Sequence, residues 1–183
     1  MKKQYITRKG NFDSAHRVMN EKFKCFHIHG HTYLYKLEFE FNEMDEIGYA
    51  IDFKEIKRVA CQWIDDLLDH GAIVNPKDEI FIESITKLKT KIWYMSLNGE
   101  GEYCNPSVEN IAKEIFLAME ILFSNYDNLK IHKIVIHETP NCSTKCIKKS
   151  ISEFEKTNWK NLNEKKVLEY AKEKGILEYD DRI

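Results

Sequence analysis

No apolar run in this 183-residue chain approaches the roughly 20 residues that cross a bilayer. The first nine residues, Met1 to Lys9, carry the positive charge of a secretory leader. No apolar stretch follows them, so the sequence reads as that of a cytoplasmic protein. A formal net charge of −2 leaves no electrostatic case for nucleic acid or an anionic membrane as partner. Internal repeats, low-complexity tracts and both Gly-rich phosphate loop patterns are absent. Cysteine is sparse: Cys25, Cys61, Cys104, Cys142 and Cys146 are odd in number and unevenly spaced. Cys142 and Cys146 lack the C-x-x-C spacing of a zinc knuckle or redox pair. Free thiols in a reducing compartment are therefore expected, with room for one that is reactive. The 43% apolar and 12% aromatic content suffices for the core of one domain, alone or with an extension.

Against this background one segment is dense in chemistry. Cys25-Phe26-His27-Ile28-His29-Gly30-His31 places a cysteine and three histidines in seven residues. It runs into His31-Thr32-Tyr33-Leu34-Tyr35-Lys36-Leu37-Glu38-Phe39-Glu40-Phe41, an alternating strand pattern. In a strand, side chains two apart share a face, so His29 and His31 point the same way as Tyr33, Tyr35 and Leu37. Two imidazoles so placed reach a single metal ion, and an ordinary polar pair at a strand start has the same spacing. Upstream, residues 4–8 form a plausible strand. Phe12-Asp13-Ser14-Ala15-His16-Arg17-Val18 can also be extended, with Phe12, Ser14 and His16 on one face. His16 matters only if a metal needs a third ligand nearby.

Asp52 and Glu55 have a capping-box spacing. Ile56, Val59, Ala60, Trp63, Ile64, Leu67 and Leu68 then form one helical apolar stripe, with Gly71 as the expected stop. Asp69 and His70 fall in the last turn, where the carbonyl ends of the helix favour an imidazolium. A purely structural Asp-His pair at a helix end is common, and taken alone it is the more ordinary reading. Residues 76–104 read poorly. Ile80–Ile82 and Lys91–Met95 suit a hairpin, a short helix over 81–92 is the alternative, and Asn98–Gly101 suits a turn. A second helix begins at Asn105-Pro106-Ser107 and keeps its spacing to about Phe123. Residues 131–138 form the expected final strand, with Ile134, Ile136 and Glu138 on one face. Glu138 is thus either at a wet strand end or buried with a partner as a binding residue. Leu162–Lys174 reads as an amphipathic helix ending at Gly175.

Six stretches carry a family likeness: Phe12-Asp13-Ser14-Ala15-His16-Arg17; Lys24-Cys25 with His29-Gly30-His31; Ile51-Asp52-Phe53; Leu68-Asp69-His70-Gly71 with Asn75; Asn105-Pro106-Ser107 with Glu109-Asn110; and His137-Glu138-Thr139. In this order they resemble the 6-pyruvoyl-tetrahydropterin synthase family, most of all the bacterial 6-carboxy-5,6,7,8-tetrahydropterin synthases of queuosine biosynthesis. The three residues between Cys25 and the His-Gly-His triplet resemble the bacterial, carboxy-forming members. The resemblance runs from residue 12 to about residue 146. Ser107 stands where the family usually has threonine, the stretch from Asn75 to Asn105 is longer than in compact bacterial members, and residues past about 150 exceed the usual end.

The resemblance implies an α+β tunnelling fold (T-fold), with an antiparallel four-stranded sheet and two helices on one face. Residues 1–150 would form this domain, with an insertion at about 76–104, and residues 151–183 a C-terminal helical extension. It implies a homohexamer of two stacked trimers with active sites between subunits. It implies one Zn2+ on His16, His29 and His31; spacing alone leaves His27 open as a ligand, and the motif match leaves it out. Cys25 would be the base, helped by Asp69 and His70. Glu138 would anchor the pterin, with Thr139 and Ser107 adding hydrogen bonds. Arg17, Lys22, Lys24 and Lys145 are candidates for a triphosphate. The implied activity is a zinc-dependent lyase that converts 7,8-dihydroneopterin triphosphate to 6-carboxy-5,6,7,8-tetrahydropterin, losing triphosphate and a two-carbon fragment. The pyruvoyl-forming reaction on the same substrate is the alternative. A non-catalytic zinc- or pterin-binding protein on the same fold is the other, and the joint presence of Cys25, Asp69 and His70 argues against it.

Overall fold

The structure is a computed structural model that describes residues 3–96 and 104–177. The turn expected at Asn98–Gly101 lies outside the described residues. Two long strands, β1 (Gln4–His16) and β2 (His29–Phe41), pair antiparallel from Gln4 opposite Phe41 to His16 opposite His29. The two short extended stretches expected before residue 18 are thus one continuous strand. Gly10 permits the pairing: a Cβ there would stand 2.3 Å from the Tyr35 hydroxyl. In β2 the odd-numbered residues from Tyr33 to Phe41 are buried, and Thr32 and Leu34 are exposed. Alternation of this kind means one face on the core and the other toward solvent.

A continuous helix follows, built from α1 (Phe53–Ile56), a π-helical stretch (Lys57–Cys61) and α2 (Gln62–Leu67). Asp52 caps it through the Lys54 N–H. The expected capping box does not close, because Glu55 instead binds Arg58 and the Tyr126 hydroxyl. Ile56, Val59, Ala60, Trp63, Ile64 and Leu68 are buried along one stripe, as the spacing predicts. The helix ends through His70 (φ +54°), which takes the left-handed conformation, and Gly71 already begins β3 (Gly71–Val74).

Residues 75–94 depart from the expected hairpin. Helix α3 (Glu79–Lys87) joins β3 to β4 (Lys91–Tyr94), and β4 runs parallel to β3. Parallel neighbours need such a crossover. Ile73 joins the main core, while Ala72 and Val74 pack with Phe81 and Ile85 of α3 on the far face. All four β3 residues are buried, so the alternation that marks a strand is missing. Helix α4 (Val108–Leu122) is capped by the Ser107 hydroxyl, and β5 (Lys130–Thr139) pairs antiparallel with β2. β5 is not the final strand, since β6 (Cys142–Ile147) pairs with it. Only Cys146 of β6 is buried, so this polar edge strand gave no apolar signal. The sheet therefore has six strands in the order β4-β3-β1-β2-β5-β6 and is mixed, not four-stranded and antiparallel.

The chain closes with α5 (Glu153–Trp159), a π-helical stretch (Lys160–Glu164) and α6 (Lys165–Glu173). Trp159, Val167 and Ala171 join the main core, and both helices contact α4. That cover explains why α4 is buried on more than one side. It also buries Glu114 of α4, which is 3% exposed. Its carboxylate accepts from the Ser96 N–H and hydroxyl, each at 2.5 Å, and from the Asn163 amide at 3.0 Å. One group thus joins the segment after β4, α4 and the C-terminal helices. Burial holds the Glu114 carboxyl above its usual pKa of 4.5, against those hydrogen bonds.

Glu114→Ala leaves three donors unmet, and the expected loss is about 2–4 kcal/mol in urea unfolding followed by circular dichroism. The sign with pH follows from the raised pKa. Below 4.5 the carboxyl is protonated in both states; as pH rises, the unfolded chain ionises first and gains. The gap between wild type and variant is therefore widest at low pH and narrows as pH rises through the folded value.

Candidate metal and catalytic site

The mouth of the β1–β2 hairpin gathers three imidazoles. His16 and His29 are paired across the two strands, and His31 follows on the same face. Ring centroids lie 4.5, 4.9 and 5.2 Å apart, and one ligand nitrogen from each falls within 4.8 Å of the others. Gly30 keeps the strands close there, since a Cβ would meet the Ser14 carbonyl oxygen at 3.1 Å. His16 Nδ1 donates to the Pro106 carbonyl at 2.7 Å, and His29 Nδ1 donates to the His27 carbonyl at 2.8 Å. Both Nε2 atoms therefore turn inward, 3.1 Å apart. With each N–H used on a carbonyl, lone pair faces lone pair, and the contact is favourable only with a shared cation. Burial, then the neighbouring His29 and His31, lower the His16 pKa to about 4 against the Pro106 hydrogen bond. A metal ion is one cation that such a pair of lone pairs can share. Two nitrogens bound tetrahedrally to one zinc at 2.0–2.1 Å stand about 3.3 Å apart, close to what is seen here. Metal-binding histidines usually donate their other ring N–H to a carbonyl or carboxylate in this way. The donor set fits zinc.

Glu138, at the end of β5, lies over this cluster. Its Oε1 stands 3.8 Å from Nε2 of both His16 and His31. Tyr33 sits behind, its ring edge-on to His16 and His31. Among the described residues its buried hydroxyl has no hydrogen-bond partner, and burial, Glu138 and Cys25 hold its pKa above the usual range. Ser107 is half-buried beside Pro106, and its hydroxyl caps α4 at 3.4 Å. Thr139 is half-buried next to Glu138. His27 is exposed and contributes its carbonyl, not its ring.

Cys25 is exposed, in a single 3-10 turn (Lys24–Phe26) within the hairpin connection. Its carbonyl accepts the Val18 N–H at 2.8 Å. The Asn105 side-chain oxygen accepts the Met19 N–H and the Asn75 amide, so the motif asparagines hold this connection in place. Arg17 is not free for a triphosphate. Its guanidinium forks onto both carboxylate oxygens of Asp78, a residue 2% exposed. Lys22, Lys24 and Lys145 are exposed. Sequence reading missed Asp78, which lies in the least readable stretch, and the two anchoring carbonyls, which no side-chain pattern reveals.

Asp69 and His70 pair at 2.6 Å, but elsewhere. Asp69 also accepts the Asp13 N–H at 2.6 Å, and His70 N–H donates to the Asp13 carbonyl at 2.7 Å. Asp13 and His70, with Thr32 and Gly30, line a shallow recess on the outward face of β1–β2, and His31 borders it as well. Among the described residues neither shares a hydrogen bond or ion pair with Cys25. Asp13, Asp69 and His70 also lie within ligand distance of one another, but Asp69 already accepts two N–H groups and Asp13 the Thr32 hydroxyl. The Asp69 carboxylate raises the His70 pKa above 6.5, while Asp69 itself is held low by the Asp13 N–H and His70 despite its burial.

Fold and site together define a class: an enzyme on a curled mixed sheet, with three histidines at a hairpin mouth and a cysteine in the hairpin connection. A sequence profile of the 6-pyruvoyl tetrahydropterin synthase family matches residues 5–149, and the chain belongs to that family. It is 35% identical over 138 residues to the 6-carboxy-5,6,7,8-tetrahydropterin synthase of Rickettsia felis, across 74% of this chain and 94% of that protein. The Haemophilus influenzae enzyme of the same name is 27% identical over 141 residues, covering 74% and 92%. The structure of Caenorhabditis elegans 6-pyruvoyl tetrahydropterin synthase superposes with a TM-score of 0.55 at 25% identity, across 80% of this chain and 96% of that one. The chain is a lyase-type enzyme like its named homologues.

The raised His70 pKa is open to direct test. Its ring resonances are expected to titrate above 6.5 in a proton NMR pH series, and Asp69→Asn is expected to move the midpoint down. An unmoved midpoint would show that the pair does not form in solution.

Proposed function

We propose that this enzyme converts 7,8-dihydroneopterin triphosphate to 6-carboxy-5,6,7,8-tetrahydropterin, with loss of triphosphate and a two-carbon fragment, as a step toward queuosine and related 7-deazapurines. The carrying observation is the convergence of His16, His29 and His31 on one point, in a chain about one-third identical to bacterial enzymes of that name. The same three imidazoles would hold a zinc ion. Bound there, zinc supplies Lewis acidity toward the hydroxyls of the substrate side chain.

The remaining chemistry falls to the chain's own groups. Glu138 accepts two parallel N–H bonds from the 2-amino and N3 positions of the pterin, a geometry suited to a carboxylate. Its place over the histidines then sets the substrate side chain above them. Thr139 and Ser107 add hydrogen bonds at the rim. The Cys25 thiolate removes a proton from the side chain. His70 transfers protons while Asp69 orients its ring and stabilises the imidazolium. Because that pair lies on the opposite sheet face from the histidines, the reading has subunits complete each other's sites in a homohexamer of stacked trimers. Residues 1–150 would be the catalytic domain with an insertion at about 76–104, and residues 151–183 an appended helical segment. A cytoplasmic location accords with the lack, among the described residues, of any helix long and apolar enough to cross a membrane.

The zinc-loaded protein, given 7,8-dihydroneopterin triphosphate, is expected to yield the mass of the 6-carboxy product. A product keeping three side-chain carbons would establish the pyruvoyl-forming reaction instead. Cys25→Ala should keep its metal and lose roughly a thousandfold in turnover, in the range of a removed general base. His29→Ala should come off purification without zinc by atomic absorption; a full complement of metal in that variant would move the site elsewhere.

A further inference from the structure

The connection from Arg17 to Ile28 carries both Cys25 and the carbonyl that orients His29, yet most of it is exposed. Something must hold it. Two hydrogen bonds do so at its start, Val18 N–H to the Cys25 carbonyl and Met19 N–H to Asn105. A third restraint comes from a segment absent from the shared motifs. The Arg17 guanidinium lies over the Phe26 ring at 4.9 Å, with Phe81 of α3 at 6.0 Å. Its fork binds Asp78, through Nη2 to Oδ1 at 2.6 Å and through Nε to Oδ2.

Asp78 is itself fixed. Its side chain caps α3 through the Phe81 N–H at 3.3 Å, and its own N–H donates to the Asn75 carbonyl at 2.9 Å. A guanidinium fork on a carboxylate sets direction as well as distance, which an apolar contact in its place would not. Phe26, stacked under that fork, is the immediate neighbour of Cys25. We infer that Arg17 and Asp78 are positioning residues: a clamp from the β3–α3 junction that fixes the Cys25 turn at the site. The β3–α3 junction would then serve catalysis through Phe26. This inference rests on the reading of Cys25 as the base.

Asp78→Asn tests it, because asparagine still caps α3 while losing the charge and one acceptor. Zinc content should stay at the wild-type level. Turnover should fall about tenfold or more with KM within about twofold, the pattern of a displaced catalytic group rather than lost binding. Amide hydrogen exchange should speed up about tenfold in peptides spanning 17–27 and stay unchanged in β2 and α4. Arg17→Lys, which loses the fork and keeps the charge, should shift the same readouts in the same direction. Unchanged exchange over 17–27, or faster exchange spread equally through β2 and α4, overturns the clamp, and so does unchanged kcat with faster exchange. If Cys25→Ala keeps full turnover, the base reading fails by itself, and the exchange measurement, which needs no turnover, still decides whether the clamp exists.

Discussion

Two imidazole lone pairs aimed at each other across 3.1 Å are unstable without a cation between them, and the structure holds them there. Each ring is locked from behind by a backbone carbonyl, one before α4 and one in the hairpin connection. The arrangement therefore depends on three elements at once: the β1–β2 register, the start of α4 and the path of residues 17–28. A slip of one residue in the register would turn His29 and His31 to the opposite face. Thirteen paired residues in each strand and the buried aromatic row behind them make that slip costly.

The parts of the molecule remote from the histidines can be understood through that requirement. Glu114 ties α4 to the segment after β4 and to the C-terminal helices, which steadies the helix whose entry carries Pro106. Asn75 and Asn105 tie the end of β3 to the start of the hairpin connection. The segment after β4 and the C-terminal helices thus bear on α4, whose entry reaches the site.

Much of this was legible in the sequence where side chains report their own surroundings. The alternation of β2, the apolar stripe of the first helix and the stripe of α4 each appear in the structure. The spacing of His29 and His31 correctly put both on the face of Tyr33, and the family likeness added His16. What failed has physical reasons. Buried on both faces, β3 has no alternation, and polar β6 has no apolar signal, so nothing in the pattern corrects the four-stranded sheet that the family likeness implies where six strands form. Arg17 looked like a free cation because its partner Asp78 lies far along the chain. Asp69 and His70 were legible as a pair, but no periodicity could tell which side of the sheet they would occupy. Glu114 sat in a helical pattern like any surface carboxylate, and only the helices folded over it made it a buried one.

The left-handed backbone at His70 sets backbone energy against the Asp69–His70 pair at a single position. A residue with a Cβ held at φ +54° costs roughly 1–2 kcal/mol that glycine would not. Judged by stability alone, the better choice at the end of this helix is the smaller residue. A selection for heat resistance would accordingly discard the imidazole first, and a more robust protein obtained that way would be one that had given up the Asp69–His70 pair.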